Sequence, residues 1–230
     1  MRMNRLLVYF LPVAGLLLAA GLFLHSAGGV AKPGSGNAPR VAAAPAAKRA
    51  APAAGATTAA TATAQRRSRH ARELISFARR NGYSTHIAFL IDMRLPSGRA
   101  RFFIHDLVRD SVLAAGLVAH GSCNAGFLEE ASFSAEPGCG CSSLGRYKVG
   151  YSYTGNYGKA FKLYGLDSSN RTAFERFVVL HAYRCVPDTE VYPESICNSL
   201  GCPMVSNRFL ETAAGYLARE RKPVLLWVYR

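Results

Sequence analysis

Residues 198–206 read NSLGCPMVS, and the standing of Cys202 within them decides how the rest of the chain is read. It lies between Gly201 and Pro203, near the end of a chain whose start looks exported. Exported proteins lock most cysteines into disulfides. Cys202 is therefore either half of a bridge or a thiol kept free for chemistry. A nucleophilic cysteine needs a base within hydrogen-bond reach. Working outward, the nearest candidate upstream is His181, which ends the apolar run FVVLHAY at 177–183. Gly201 allows close backbone approach and unusual dihedrals. Pro203 has no N–H, so oxyanion donors must come from Gly201, Cys202 or a neighbouring segment. On these residues alone, a core histidine and a disulfide cysteine explain the pair as well as catalysis does.

The segments around this pair set the fold class. Ser68 caps a helix predicted to run to Arg80, with Ala71, Leu74, Ile75 and Ala78 on one face and Asn81-Gly82 as its stop. Short apolar segments follow: THIAFLIDM (85–93), ARFFIHDL (100–107) and VLAAGLVAH (112–120). Turns at 96–98 and 108–110 separate them, as in a β meander. RYKVGYSYTG and KAFKLYGL read as a hairpin through Gly155–Gly158, and FVVLHAY as a buried strand. Residues 206–222 have helical spacing, Pro223 ends that helix, and VLLWVY is a closing strand. The expected class is mostly β with two or three helices.

The 230-residue chain carries 28 Lys and Arg against 14 Asp and Glu, a net charge of +14. Arg2 and Arg5 precede an apolar run from Leu6 to Leu24. That pattern reads as an export signal, either a cleaved signal peptide over 1–31 or an uncleaved inner-membrane anchor through 6–24. Ala27 and Ala31 supply small residues for cleavage. Residues 32–65 are rich in Ala, Pro, Gly and Thr and read as a disordered tether. Residues 66–230 then form one domain holding all six cysteines. Behind an export signal, the basic surface points to a polyanionic envelope in the periplasm rather than to nucleic acid.

Ser199-x-Gly201-Cys202-Pro203 resembles the nucleophile motif of the murein L,D-transpeptidase catalytic-domain family, the YkuD-like cysteine enzymes, in their S-x-G-C-P branch. In that family a strand ending in His lies some twenty residues upstream, as FVVLHAY does here. VAHGS at 118–122, SSLGRY at 142–147 and LYGLD at 163–167 are similar to further family segments, in the same order, over Ile87 to Tyr229. The resemblance implies a β-sandwich-like catalytic domain that acts on the stem tetrapeptide of peptidoglycan. Cys202 would attack the carbonyl of the third residue and expel D-alanine, with His181 as base. The Ala182 carbonyl would orient the imidazole, and the thioester would pass to an acceptor amine. Substrate contacts would fall to His120, Ser143, Ser199, Gly201 and Ala182. No cofactor or metal is called for, and a monomer is expected. An L,D-carboxypeptidase, with water as acceptor, fits the same residues. So does a non-catalytic wall-binding domain in which Cys202 is bridged.

Three features depart from the branch: Asn198 where Arg often stands, Ala182 where Gly often follows the His, and the added Cys185 and Cys197. Those two cysteines bracket a loop and are candidates for a disulfide that would stiffen the arm carrying Cys202. Cys123 pairs with either Cys139 or Cys141, leaving one thiol over. Zinc held by Cys139 and Cys141 with His181 or Cys202 is a poor alternative, since a one-residue gap is short for zinc ligands.

Overall fold

The computed structural model describes residues 54–230. The signal or anchor reading, and the tether reading as far as residue 53, lie outside the described residues. Among the described residues no helix is long and apolar enough to cross a membrane. The mostly-β class holds. Helix α1 (Ala54–Asn81) leads into strands β1 (Ile87–Asp92), β2 (Phe102–Asp106) and β3 (Ser111–Gly116). The hairpin β4 (Gly145–Gly155) and β5 (Gly158–Gly165) follows, then β6 (Val179–Ala182), β7 (Met204–Val205), α2 (Asn207–Leu217) and β8 (Leu225–Tyr229).

Helix α1 begins at Ala54 rather than at Ser68, so residues 54–65 are helical and not a disordered tether. The composition that made this stretch look unstructured is Ala-rich, and alanine is the best helix former. The C-terminal half of α1 docks through Ala71, Leu74 and Ala78, all buried. Full burial of Leu74 contributes roughly 2 kcal/mol. Part of the arginine cluster is internal. Arg66 pairs at 2.8 Å with Asp92, which is wholly buried, and the Arg67 guanidinium lies 4.9 Å from the Phe103 ring centroid.

The eight strands form one sheet in the order β3-β2-β1-β8-β4-β5-β6-β7. Its strands are apolar on both faces because each face has a core. On one face β1, β2, β4, β5, β6 and β8 share a cluster with Phe209, Leu210 and Ala213 of α2. On the other, Ala88, Leu90, Phe103 and Leu225 meet α1. Ser206 caps α2 by accepting from the Phe209 N–H, and the helix stops at Leu217, short of the basic run predicted to extend it.

The sheet nearly closes on itself. Beyond β3 the chain runs on to meet the opposite edge: Ala119 bridges Met204 and Gly121 bridges Ser199. The segments VAHGS and SLGCP are thereby joined into one seam. Gly121 is required there, since a Cβ would run into the Gly140–Ser142 backbone. Two disulfides brace the seam, Cys185–Cys197 and Cys123–Cys141, while Cys139 and Cys202 are free.

Candidate active site

His181 is carried by β6, paired with Ala160 of β5 on one side and with Met204 of β7 on the other. Cys202 sits two residues before Met204, in the turn that enters β7. Both side chains face one cleft of about 620 Å³, with Ser122, Phe127, Asn198 and Ser199 also on its walls.

The ring of His181 is fixed by its surroundings. Nδ1 lies 3.1 Å from the carbonyl oxygen of Ala182. A carbonyl only accepts, so Nδ1 carries the proton and Nε2 holds the free lone pair. Tyr157, in the β4–β5 turn, stacks on the imidazole at 5.0 Å between centroids and 24° between planes. Burial pushes the imidazole below its ordinary value, with the Ala182 carbonyl opposing. Ala182 offers only that carbonyl, because its methyl is in the core.

The Cys202 thiol lies 3.5 Å from the Val179 N–H and 3.8 Å from the Phe177 carbonyl. Burial pushes the thiol up; the Val179 N–H and the charge of Arg176 pull it the other way without overcoming burial. Both shifts favour the uncharged form, so the resting pair is a neutral thiol and a neutral imidazole. The turn is held by Ser199, whose Oγ donates to the Cys202 carbonyl at 2.7 Å and accepts from the Gly201 N–H at 3.1 Å. Gly201 has φ of +109°, and a Cβ there would stand 2.7 Å from the Cys141 carbonyl oxygen. No larger residue fits that backbone.

Of the five residues expected to touch substrate, Ser199 lines the cleft, whereas Gly201, Ala182, His120 and Ser143 are buried and do not. His120 is fully buried beneath the cleft. Arg101 donates to its Nδ1 at 2.8 Å, and its Nε2–H donates to the Leu128 carbonyl at 3.1 Å, which leaves neither nitrogen for a ligand. Desolvation, then the Arg101 charge, drive its pKa down to about 4. Ser143 is also buried, donating to the Ser134 carbonyl at 2.8 Å and accepting from Arg176 at 2.7 Å. Each ties loops together through these hydrogen bonds instead.

Sequence reasoning passed over Tyr157, Arg176 and the Asn198 side chain. Asn198 was noted only as a departure, and it grips Leu128. Tyr157 between two turn glycines carried no signal of its own. Cys141 is bound to Cys123, so it is not available to the zinc set considered from the sequence, and Cys202 is unbridged.

A family model described as the L,D-transpeptidase catalytic domain matches residues 60–227. No curated protein matches the chain. Solved structures similar to it include an L,D-transpeptidase from Xylanimonas cellulosilytica, at 14% identity, 64% of this chain, 61% of that one and a TM-score of 0.37. The helical cell shape determining protein Pgp2 from Campylobacter jejuni is another, at 13% identity, 63% and 47% coverage and a TM-score of 0.38. A third is the Ldtfm–avibactam carbamoyl enzyme, at 10% identity, 63% and 49% coverage and a TM-score of 0.38. The chain thus spans between 47% and 61% of the length of these structures. With the family model covering well over half of its residues, the chain belongs to the L,D-transpeptidase catalytic domain family.

Proposed function

We propose that this protein is a cysteine L,D-transpeptidase of the bacterial cell envelope that acts on peptidoglycan stem tetrapeptides. The observation that carries the reading is a free Cys202 thiol sharing one cleft with a His181 whose Nδ1–H is committed to Ala182. Nε2 is then the base. It takes the thiol proton as sulfur attacks the carbonyl of the third residue. The tetrahedral intermediate collapses, Nε2–H passes its proton to the departing D-alanine amine, and a thioester remains. An acceptor amine, deprotonated by the same nitrogen, attacks the thioester and restores the thiol. Acyl exchange of this kind retains the energy of the broken peptide bond and needs no cofactor.

We assign the oxyanion to the Cys202 N–H. The Gly201 N–H already donates to Ser199, and Pro203 has none. Donors fixed in a water-poor site stabilise charge as it develops. Phe127, Tyr157 and Leu200 are exposed large apolar groups on the cleft rim, suited to cover a peptide. The N-terminal segment would export residues 66–230 across the inner membrane and, if uncleaved, hold them on its outer side.

The test is incubation of the full chain with tetrapeptide-rich muropeptides, followed by mass spectrometry. Release of D-alanine with new cross-links on the third residue, abolished by Cys202→Ala, supports the assignment. Release without cross-links makes it a carboxypeptidase, and no thioester adduct on Cys202 overturns both.

A further inference from the structure

Arg176 is a half-buried cation held by two carbonyls, a hydroxyl and the Cys139 sulfur. Nη1 donates to the Ser134 carbonyl at 3.0 Å and to Ser143 Oγ at 2.7 Å. Nη2 donates to the Cys141 carbonyl at 2.6 Å and to Cys139 Sγ at 3.3 Å. Among the described residues no carboxylate comes within ion-pair range of it. A guanidinium with four acceptors and no carboxylate partner keeps its positive field, and partial burial keeps that field poorly screened.

That field falls on the nucleophile. A Cβ at Gly201 would lie 3.2 Å from Arg176 Nη2, so the guanidinium stands against the backbone of the residue before Cys202. Arg176 also precedes Phe177, whose carbonyl approaches the Cys202 sulfur. The four hydrogen bonds span residues 134–143 and lock the group in place. An arginine used only as a clip between loops would have no need to abut the nucleophile turn.

We propose that Arg176 is a positioning residue for the Cys202 thiolate: its unpaired guanidinium, clamped behind Gly201, is the fixed positive charge toward which negative charge on sulfur develops. This rests on Cys202 being the nucleophile. Around the sulfur the other titratable groups are His181, Tyr157 and Tyr183 on the cleft side, with Cys139 on the far side of the guanidinium. His181 and Arg176 then divide the work. The imidazole removes the proton, and the guanidinium stabilises what remains.

The test reads Cys202 directly and needs no peptidoglycan. Alkylation of the full chain by iodoacetamide is followed against pH, with Cys202 and Cys139 resolved by peptide mass spectrometry. Arg176→Gln should move the Cys202 midpoint upward by about one pH unit, making alkylation about tenfold slower below it. Arg176→Lys, which keeps the charge and loses the four-point clip, should titrate near wild type. A Gln variant that titrates like wild type overturns the proposal, and so do equal shifts for Gln and Lys. Should Arg176→Gln not fold, nitrogen-15 arginine spectra of the wild type serve instead. The Arg176 side-chain signals should move at the Cys202 midpoint, and stay still in Cys202→Ala. Signals unmoved in the wild type overturn the proposal. An Arg176-dependent thiol in a protein with no transferase activity would leave this inference standing and sink the reading above.

Discussion

The Asn198 side chain clamps the backbone of Leu128 on both sides, its Oδ1 accepting from the Leu128 N–H at 2.6 Å and its Nδ2 donating to the Leu128 carbonyl at 3.0 Å. The Leu128 carbonyl also receives His120 Nε2–H. Leu128 continues the segment whose Ala125, Gly126 and Phe127 form one wall of the cleft. An arginine here could donate but not accept, so the departure at position 198 has a physical use: an amide answers both the N–H and the carbonyl of one residue.

Asn198→Ala should therefore loosen the cleft wall while leaving the nucleophile turn intact. Two hydrogen bonds to the backbone of half-buried Leu128 are worth about 1–2 kcal/mol together. We expect kcat/KM to fall about tenfold, chiefly through KM. Steady-state kinetics check this, and an equal loss confined to kcat would contradict it.

The protonation states of Cys202 and His181 set the pH profile. The folded imidazole titrates below its ordinary 6.5, so it remains an unprotonated base as pH falls past that value. The thiol titrates above its ordinary 9.0, so it remains protonated through neutral pH. Acylation by a carbapenem, a β-lactam that the family resemblance implies can acylate such a cysteine, should accordingly rise through a limb below pH 6.5 and stay level across neutral pH. His181→Ala should lose this acylation almost entirely at neutral pH, because no preformed thiolate replaces the base. Rapid-mixing kinetics against pH measure both. A limb centred above 6.5 would be the wrong sign for a buried imidazole.

His120 makes a separate prediction about stability. Its folded pKa is near 4 against 6.5 when unfolded. The unfolded chain binds the proton first, so stability is complete above pH 6.5 and declines as pH falls from 6.5 toward 4. By pH 4 the native state has lost about 3 kcal/mol from this group alone. His120→Gln removes the titration, and urea denaturation between pH 7 and 4 should show a shallower acid decline in the variant.

What the sequence disclosed follows from which interactions are local. Strands such as IAFLID are legible because each residue is buried on one face or the other, and the Cys185–Cys197 bridge because both cysteines bracket one loop. Cys202 and His181 are legible as a spaced pair within motifs. Other features depend on contacts that leave no periodic trace. Asn198 and Leu128 are 70 positions apart, and Arg176 reaches Ser134 across 42. Strand β7 has two residues, below any pattern that alternation can reveal. The start of α1 was hidden for a different reason: an alanine-rich stretch has the same composition whether it is a tether or a helix.

Phe177 tests whether the backbone around the nucleophile is held under strain. Its φ is +57°, in the left-handed region where a bulky side chain is disfavoured by about 1–2 kcal/mol. Its ring gives little in return, being 75% exposed. That conformation turns its carbonyl toward the Cys202 sulfur, 3.8 Å away. Phe177→Ala and Phe177→Gly both remove the ring, so their difference isolates the backbone. Glycine adopts a positive φ without steric cost but loses more freedom on folding, and on balance the Gly variant should be the more stable by about 1 kcal/mol. Acylation should run the other way. The Gly variant frees the carbonyl to drift from sulfur and should acylate more slowly than the Ala variant, which keeps the constraint. Urea midpoints at constant slope, read beside carbapenem acylation rates, measure the two effects on the same samples. Equal midpoints would show an unstrained backbone, and equal rates would show that the Phe177 carbonyl has no part in orienting the thiol.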